Sequence, residues 1–170
     1  MAYLLDTNVF IQAKNLYYGF DFCPAFWEWL LAENRTGRVF SIDKVNDELQ
    51  ARADDLADWA KERGDGFFLP PDPSILPSLT AVSAWVNTQR YDRSAISTFV
   101  QVADYYLVAR ALSDSHTVVT HEIPSQSVRI IKIPNVCIGL GVRPITPFEM
   151  LRRERALFVL GTRSSVSDLT

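Results

Sequence analysis

Apolar and polar positions fall in short blocks along this chain, and the blocks switch period. The first block is Tyr3-Leu4-Leu5, which runs straight into Asp6-Thr7-Asn8. A short apolar run of this kind reads as a buried strand, so the polar triplet stands where that strand ends. Arg38 to Ile42, after the break at Gly37, predicts a second strand. His116 to Thr120 predicts another, ending in Thr120-His121-Glu122. Val128 to Ile133 alternates as an edge strand does, and Phe67-Phe68-Leu69 is a further short apolar segment.

Helical spacing fills the intervals. Val9 to Lys14 is a short helix capped by the first polar triplet, and Pro24 opens a core helix through Asn34. Lys44 to Arg63 keeps three- and four-residue apolar spacing at Val45, Leu49, Leu56 and Ala60 and predicts one long helix. Ile75 to Gln89, Ser94 to Val102 and Ala103 to Leu112 predict three more, and Pro134 to Gly141 a short helix or turn. Thr146, Pro147 and Glu149 form a helix start, with the helix continuing to about Leu160. Strands alternating with helices predict an α/β fold: three layers, α/β/α, around a mainly parallel sheet of about four to five strands. Residues 1–160 read as one domain, and 161–170 as a polar, flexible tail.

Composition narrows the chemistry. The net charge is −3 and the pI near 5.4, so a broad basic face for nucleic acid is not advertised, and phosphate binding is expected to be local or metal-assisted. Cys23 and Cys137 sit in apolar surroundings without zinc spacing and read as buried free thiols. The first residues hold no basic stretch leading into a long apolar core, and no apolar run is long enough to span a bilayer. A soluble, cytoplasmic protein is the expectation. Trp27 and Trp29 read as packing; Tyr17, Tyr18 and Trp85 serve either the core or a homodimer contact.

Acids stand out where the apolar pattern ends. Asp6 follows the first strand, in the region where open α/β sheets bind ligands; its plainer reading is a helix cap. Glu48 borders the apolar face of its helix instead of the solvent-facing centre. Asp104 lies on an inward stripe with Leu107 and Ala111, where a carboxylate needs a partner or a cation. Glu122 ends another strand. Asp47, Asp54, Asp55 and Asp58, by contrast, read as solvated charges. If Asp6, Glu48, Asp104 and Glu122 meet at one sheet edge, their repulsion calls for a hard divalent cation, Mg²⁺ or Mn²⁺, and no His or Cys cluster offers a zinc site. Such a site activates water for phosphoryl chemistry.

The same residues resemble the PIN-domain nucleases, which include the VapC-like toxins. Leu5-Asp6-Thr7-Asn8 is similar to their first motif, Glu48 within Val45 to Leu49 to the helical acid, Asp104 within Ala103 to Ala111 to the third, and Val118-Val119-Thr120-His121-Glu122 to the fourth. The last segment, with Ile131-Lys132-Ile133-Pro134-Asn135-Val136-Cys137, resembles the PIN-like subgroup labelled DUF4411, and the likeness runs from residue 3 to about residue 150. It implies a Mg²⁺- or Mn²⁺-dependent endoribonuclease, a toxin with a cognate antitoxin, Asp6 and Asp104 as direct metal ligands, Glu48 as ligand or water orienter and Glu122 as an outer ligand. Thr7, Asn8 and Thr120 would support them, and Lys44, Arg90 and Arg93 are candidate RNA-backbone contacts, each with a plainer reading as a surface charge. The fourth position departs from the family's usual Asp or Asn, and with it the number of metals is open. Two other readings stand: an idle PIN-like module that binds RNA or a protein, and a DNA nuclease or a phosphohydrolase with Asp6 as nucleophile. The last is opposed by Asn8, which occupies the place of a second acid.

Overall fold

A computed structural model of the chain describes residues 1–160. Strand β1 (Tyr3–Leu5) lies in the middle of the sheet, with Leu4 and Leu5 fully shielded. It pairs in parallel with β2 (Val39–Ile42) on one side and β4 (Thr117–Val119) on the other, Leu4 lying opposite Phe40 and Val118. β3 (Phe68–Leu69) adds outside β2, and β5 (Pro144–Ile145) outside β4. The five strands run in the order β3-β2-β1-β4-β5, all parallel. Every residue of β4 is buried, as expected when both faces of a parallel sheet are covered. The helices supply that cover, and the expected α/β/α arrangement is the one observed.

The chain lays down β1, β2 and β3 toward one edge, then crosses back to place β4 on the other side of β1. The order therefore reverses between β1 and β4. Their carboxyl ends form the crevice in which open α/β sheets take ligands.

The helices among the described residues are α1 (Thr7–Gln12), α2 (Pro24–Arg35), α3 (Asp43–Gln50), α4 (Asp55–Lys61), α5 (Leu76–Thr88), α6 (Arg93–Phe99), α7 (Ala103–Asp114), α8 (Ile133–Leu140) and α9 (Pro147–Arg153). α1 runs on into a π-helical turn, Ala13–Tyr17. No helix among them is long and apolar enough to cross a membrane.

Several sequence expectations need correction. The long helix from Lys44 to Arg63 is two helices. The Asp54 carboxylate accepts the Ala57 N–H at 3.2 Å and starts α4 afresh, while Arg52 Nη2 and Lys14 Nζ approach it at 2.9 and 3.4 Å. A short polar side chain that captures backbone N–H groups competes with helix continuation. Asp54 is thus a structural hub and not a solvated charge. Leu49 and Leu56 stay buried on either side of the break, which is why the periodicity carried across it.

Val128 to Ile133 is not an edge strand. Its alternation has no strand beside it: Val128 and Ile130 are exposed, and the loop is tied by Asn135, whose Oδ1 accepts from Ser125 N–H and whose Nδ2 donates to Ser125 C=O, both at 2.9 Å. The edge beside β4 goes instead to β5, a two-residue strand whose Pro144 hid it and suits an outer position. α9 has the expected start, with Thr146 and Glu149 in a reciprocal capping box, but ends at Arg153, before Arg155 turns to φ +53°. The remaining residues to 160 bring Phe158 against Tyr18 and Phe26. The expected tail, 161–170, lies outside the described residues.

The aromatic residues mostly pack. Tyr18 stacks on Phe26 with centroids 4.3 Å apart, Trp27 is buried with its Nε1–H donated to Tyr18 C=O, and Trp85 lies against Gly139 of α8. Tyr17 alone of the proposed contact residues stays well exposed. Cys137 is buried and Cys23 only partly so; both are free thiols.

Candidate active site

Asp6 stands one residue past β1 and is 1% exposed. Its backbone N–H is donated to Val119 C=O of β4 at 3.0 Å, so the sheet itself fixes the residue. Thr120, one residue past β4, donates its hydroxyl to Asp6 Oδ2 at 2.9 Å and accepts the Glu122 N–H at 3.1 Å. The tips of both strands at the switch point are therefore tied together through one carboxylate.

Two helices bring the other acids. Thr7, buried at the start of α1, donates its hydroxyl to Glu48 Oε2 of α3. The other oxygen, Oε1, accepts the Ala103 N–H at 3.2 Å, at the first residue of α7. Glu48 thus clamps α1, α3 and α7 together, with its charge at a helix N-terminus, where backbone N–H groups and the helix dipole favour it. Asp104 is the next residue of α7. It is partly buried, and no hydrogen bond is donated to its carboxylate among the described residues.

The charges perturb one another. Burial pushes the Asp6 carboxyl up to about 7; the negative charges of Glu122 and Glu48 push the same way, against the Thr120 hydroxyl and the Thr7 N–H. Burial likewise pushes Asp104 up to about 8, reinforced by Asp6, Glu122 and Glu48 and opposed by Lys132. These are acids held close together with too little positive charge around them.

Glu122 differs from the other three. Its Oε1 accepts from Lys132 Nζ at 2.6 Å, and its Oε2 from the Ile133 N–H at 2.8 Å, at the start of α8. Both oxygens are engaged. With Glu48 also drawn to its own partners, no three His, Cys, Asp or Glu side chains among the described residues close into a ready ligand set.

Two cavities open beside Glu122. One, about 270 Å³, is lined by Asp104, Glu122, Arg129, Thr98 and Val102. The other, about 460 Å³, is lined by Asn8, Gln12, His121, Glu122 and Lys132. Asn8 is exposed and reaches this second cavity instead of hydrogen-bonding a carboxylate. His121 stacks on Tyr17 at 5.5 Å, and burial holds its imidazole below the ordinary range.

The guessed cations fare less well. Lys44 is exposed, lies 5.7 Å over the Tyr106 ring and lines a separate apolar cleft with Ile42, Leu69 and Pro70. Arg90 and Arg93 are exposed and line neither cavity beside Glu122. The cations that do border the acids are Lys132 and Arg129. Lys132 left one signal in the sequence, a charge between two isoleucines that both prove buried; such a charge needs a partner.

An all-parallel α/β sheet with carboxylates gathered at its switch point defines the class: an α/β domain with an acidic site. Residues 3–158 match the family described as a domain of unknown function (DUF4411), and the chain belongs to that family. No curated protein and no solved structure matches it.

Proposed function

We propose that the chain is a Mg²⁺- or Mn²⁺-dependent endoribonuclease of PIN type. One observation carries the reading: Asp6, Glu48, Asp104 and Glu122 come from four separate stretches of chain and bear on one another at the sheet's switch point. The donor set is all oxygen, which suits a hard divalent ion. The upward pressure on Asp6 and Asp104 is what such an ion relieves. Glu48, with both oxygens held by Thr7 and Ala103, fits as an orienter of bound water, and Asp6 and Asp104 fit as ligands of the ion. Glu122, with both oxygens engaged, does not fit as one in the arrangement seen.

An ion held there supplies an activated water and offsets charge on the phosphate. The chain's own residues do the positioning. The Thr120 hydroxyl fixes one oxygen of Asp6, and Thr7 with the Ala103 N–H fixes both oxygens of Glu48. Such supporting bonds orient ligands and tune their basicity. The further step, to the toxin of a bacterial toxin–antitoxin pair, rests on the resemblance of the four motifs to PIN toxins, and it brings a cognate antitoxin as partner.

Cleavage of single-stranded and structured RNAs with Mn²⁺ or Mg²⁺ tests the reading. Asp6→Asn and Asp104→Asn each remove a proposed ligand charge and should each abolish metal-dependent cleavage. Equal cleavage by all three proteins, or none by any, would sink it. The Glu122–Lys132 ion pair favours a second reading, an idle module that binds RNA or a protein without cutting. Metal binding separates the two: an idle module shows no Mn²⁺ affinity that Asp6→Asn removes.

A further inference from the structure

Asn8 and Gln12 lie four residues apart on α1, so they share one face of the helix, a turn from each other. Both line the cavity of about 460 Å³ beside Glu122, and neither carboxamide has a hydrogen-bond partner among the described residues. A cavity of that size takes a nucleotide-sized ligand.

The other groups of its wall narrow the chemistry. Glu122 and Lys132 face each other there at 2.6 Å and offset each other's charge. The His121 imidazole is fixed by stacking on Tyr17, at the end of the π-helical turn that follows α1, and by the edge of Phe148 at 5.7 Å. Burial keeps that imidazole neutral, so one ring nitrogen donates and the other accepts. Ile123 adds an exposed apolar side chain. Such a wall suits the edges and face of a nucleobase better than a bare anion.

A carboxamide presents a donor and an acceptor side by side. Proteins read single-stranded bases on their Watson–Crick and Hoogsteen edges, and adenine answers the carboxamide pattern on both. The Hoogsteen edge of guanine carries two acceptors, and those of the pyrimidines carry one polar group each. Asn8 stands two residues past Asp6, and Glu122 lines both this cavity and the one that Asp104 lines. A base held here therefore keeps its own phosphates beside the acids. We propose that this cavity is a base-reading subsite: Asn8 and Gln12 hold the two edges of one adenine of a single-stranded RNA, packed against Ile123, and so set which bond of the strand meets the acidic site. The choice of RNA as the source of the base rests on the nuclease reading.

Binding in EDTA tests this apart from cleavage. The probes are fluorescein-labelled oligouridylates, unsubstituted or with one central adenine, guanine or cytosine, followed by anisotropy at low salt. The whole chain should bind the adenine probe roughly tenfold or more tighter than the other three, the scale of a bidentate base contact. Asn8→Ala and Gln12→Ala should each bring that ratio towards one. If Asn8→Ala disturbs the start of α1, Gln12→Ala at its other end still decides. Free adenosine monophosphate should not displace the adenine probe at concentrations where the unlabelled oligonucleotide does.

Equal affinity for all four probes overturns the proposal, as does an unchanged ratio in folded Gln12→Ala, or no binding of any probe. Displacement by adenosine monophosphate as effective as by the oligonucleotide overturns it too, and assigns the cavity to a free nucleotide. Mapping of cuts with Mn²⁺ separates this from the nuclease reading. Cleavage without an adenine preference removes the subsite and keeps the nuclease; an adenine preference without cleavage supports the subsite and ends the nuclease reading.

Discussion

At the scale of single residues, the site is under electrostatic load. Asp6 and Asp104 have carboxyls pushed up to about 7 and about 8, against an ordinary value near 4. A carboxyl raised in the folded state keeps its proton there after the unfolded chain has lost it. The stabilisation is therefore complete below about pH 4 and is lost as pH rises through 7 and 8. In EDTA, the Tm should fall between pH 5 and pH 8.5. Asp104→Asn should flatten that fall and raise the Tm at pH 8, and Mn²⁺ should do the same for the wild type. A Tm that climbs with pH in EDTA would contradict the arrangement. Metal affinity should also weaken below pH 7, because protons compete for the same oxygens.

Asp6, Glu48 and Asp104 were legible in the sequence because each sits where an apolar pattern meets a polar one. Thr120 was legible as a strand tip. The engagement of Glu122 by Lys132 was not, because it closes across an irregular loop that has no period to read. Neither was the clamp formed by Glu48, which depends on where α7 begins in space.

At the scale of elements, short polar side chains decide where helices begin. Asp54 opens α4 and gathers Arg52 and Lys14. Asp54→Ala should cost about 1 kcal/mol, the usual worth of such a cap, read by chemical denaturation. A loss below the error of that measurement would show that α3 and α4 hold their break by packing alone. Burial decides where α5 and α8 meet. A Cβ on Gly139 would lie 2.1 Å from Trp85 Cζ2, far inside contact distance. Gly139→Ala should cost roughly 1–3 kcal/mol, as overpacking does, despite the exposure of position 139. The same denaturation measurement checks it, and a neutral result would show Trp85 swinging aside.

Apolar periodicity located most helices and the three longest strands. It failed where periodicity carries no information. The α3–α4 break preserves spacing on both sides, and β5 is too short to show alternation. Val128 to Ile133 alternates without a partner strand, which only the third dimension reveals.

At the scale of the whole molecule, charge and topology act together. The chain carries 17 Lys and Arg against 20 Asp and Glu, and Arg129 and Lys132 are the cations that line the cavities at the acidic crevice. With about two phosphates contacted, log K for single-stranded RNA should fall with log salt at a slope of only about 1.4 in magnitude, at roughly 0.7 per phosphate. A slope several times steeper, measured by fluorescence anisotropy, would reveal a basic surface elsewhere in the chain. The sheet order could not be read from the sequence, which shows alternation of elements but not which strands become neighbours. That order puts β1 beside β4, and so sets the place of the site.

The bond between Thr120 and Asp6 joins positions 114 apart in the chain. Contacts of that span close late, after the entropy of a long loop has been overcome. During synthesis, Asp6 emerges early and waits for a partner that is made much later. A nascent chain carries the first acid of the site without the strand that seats it, and so carries no finished centre. Under the proposed nuclease reading, that order of assembly keeps the acidic site unformed until most of the polypeptide has left the ribosome.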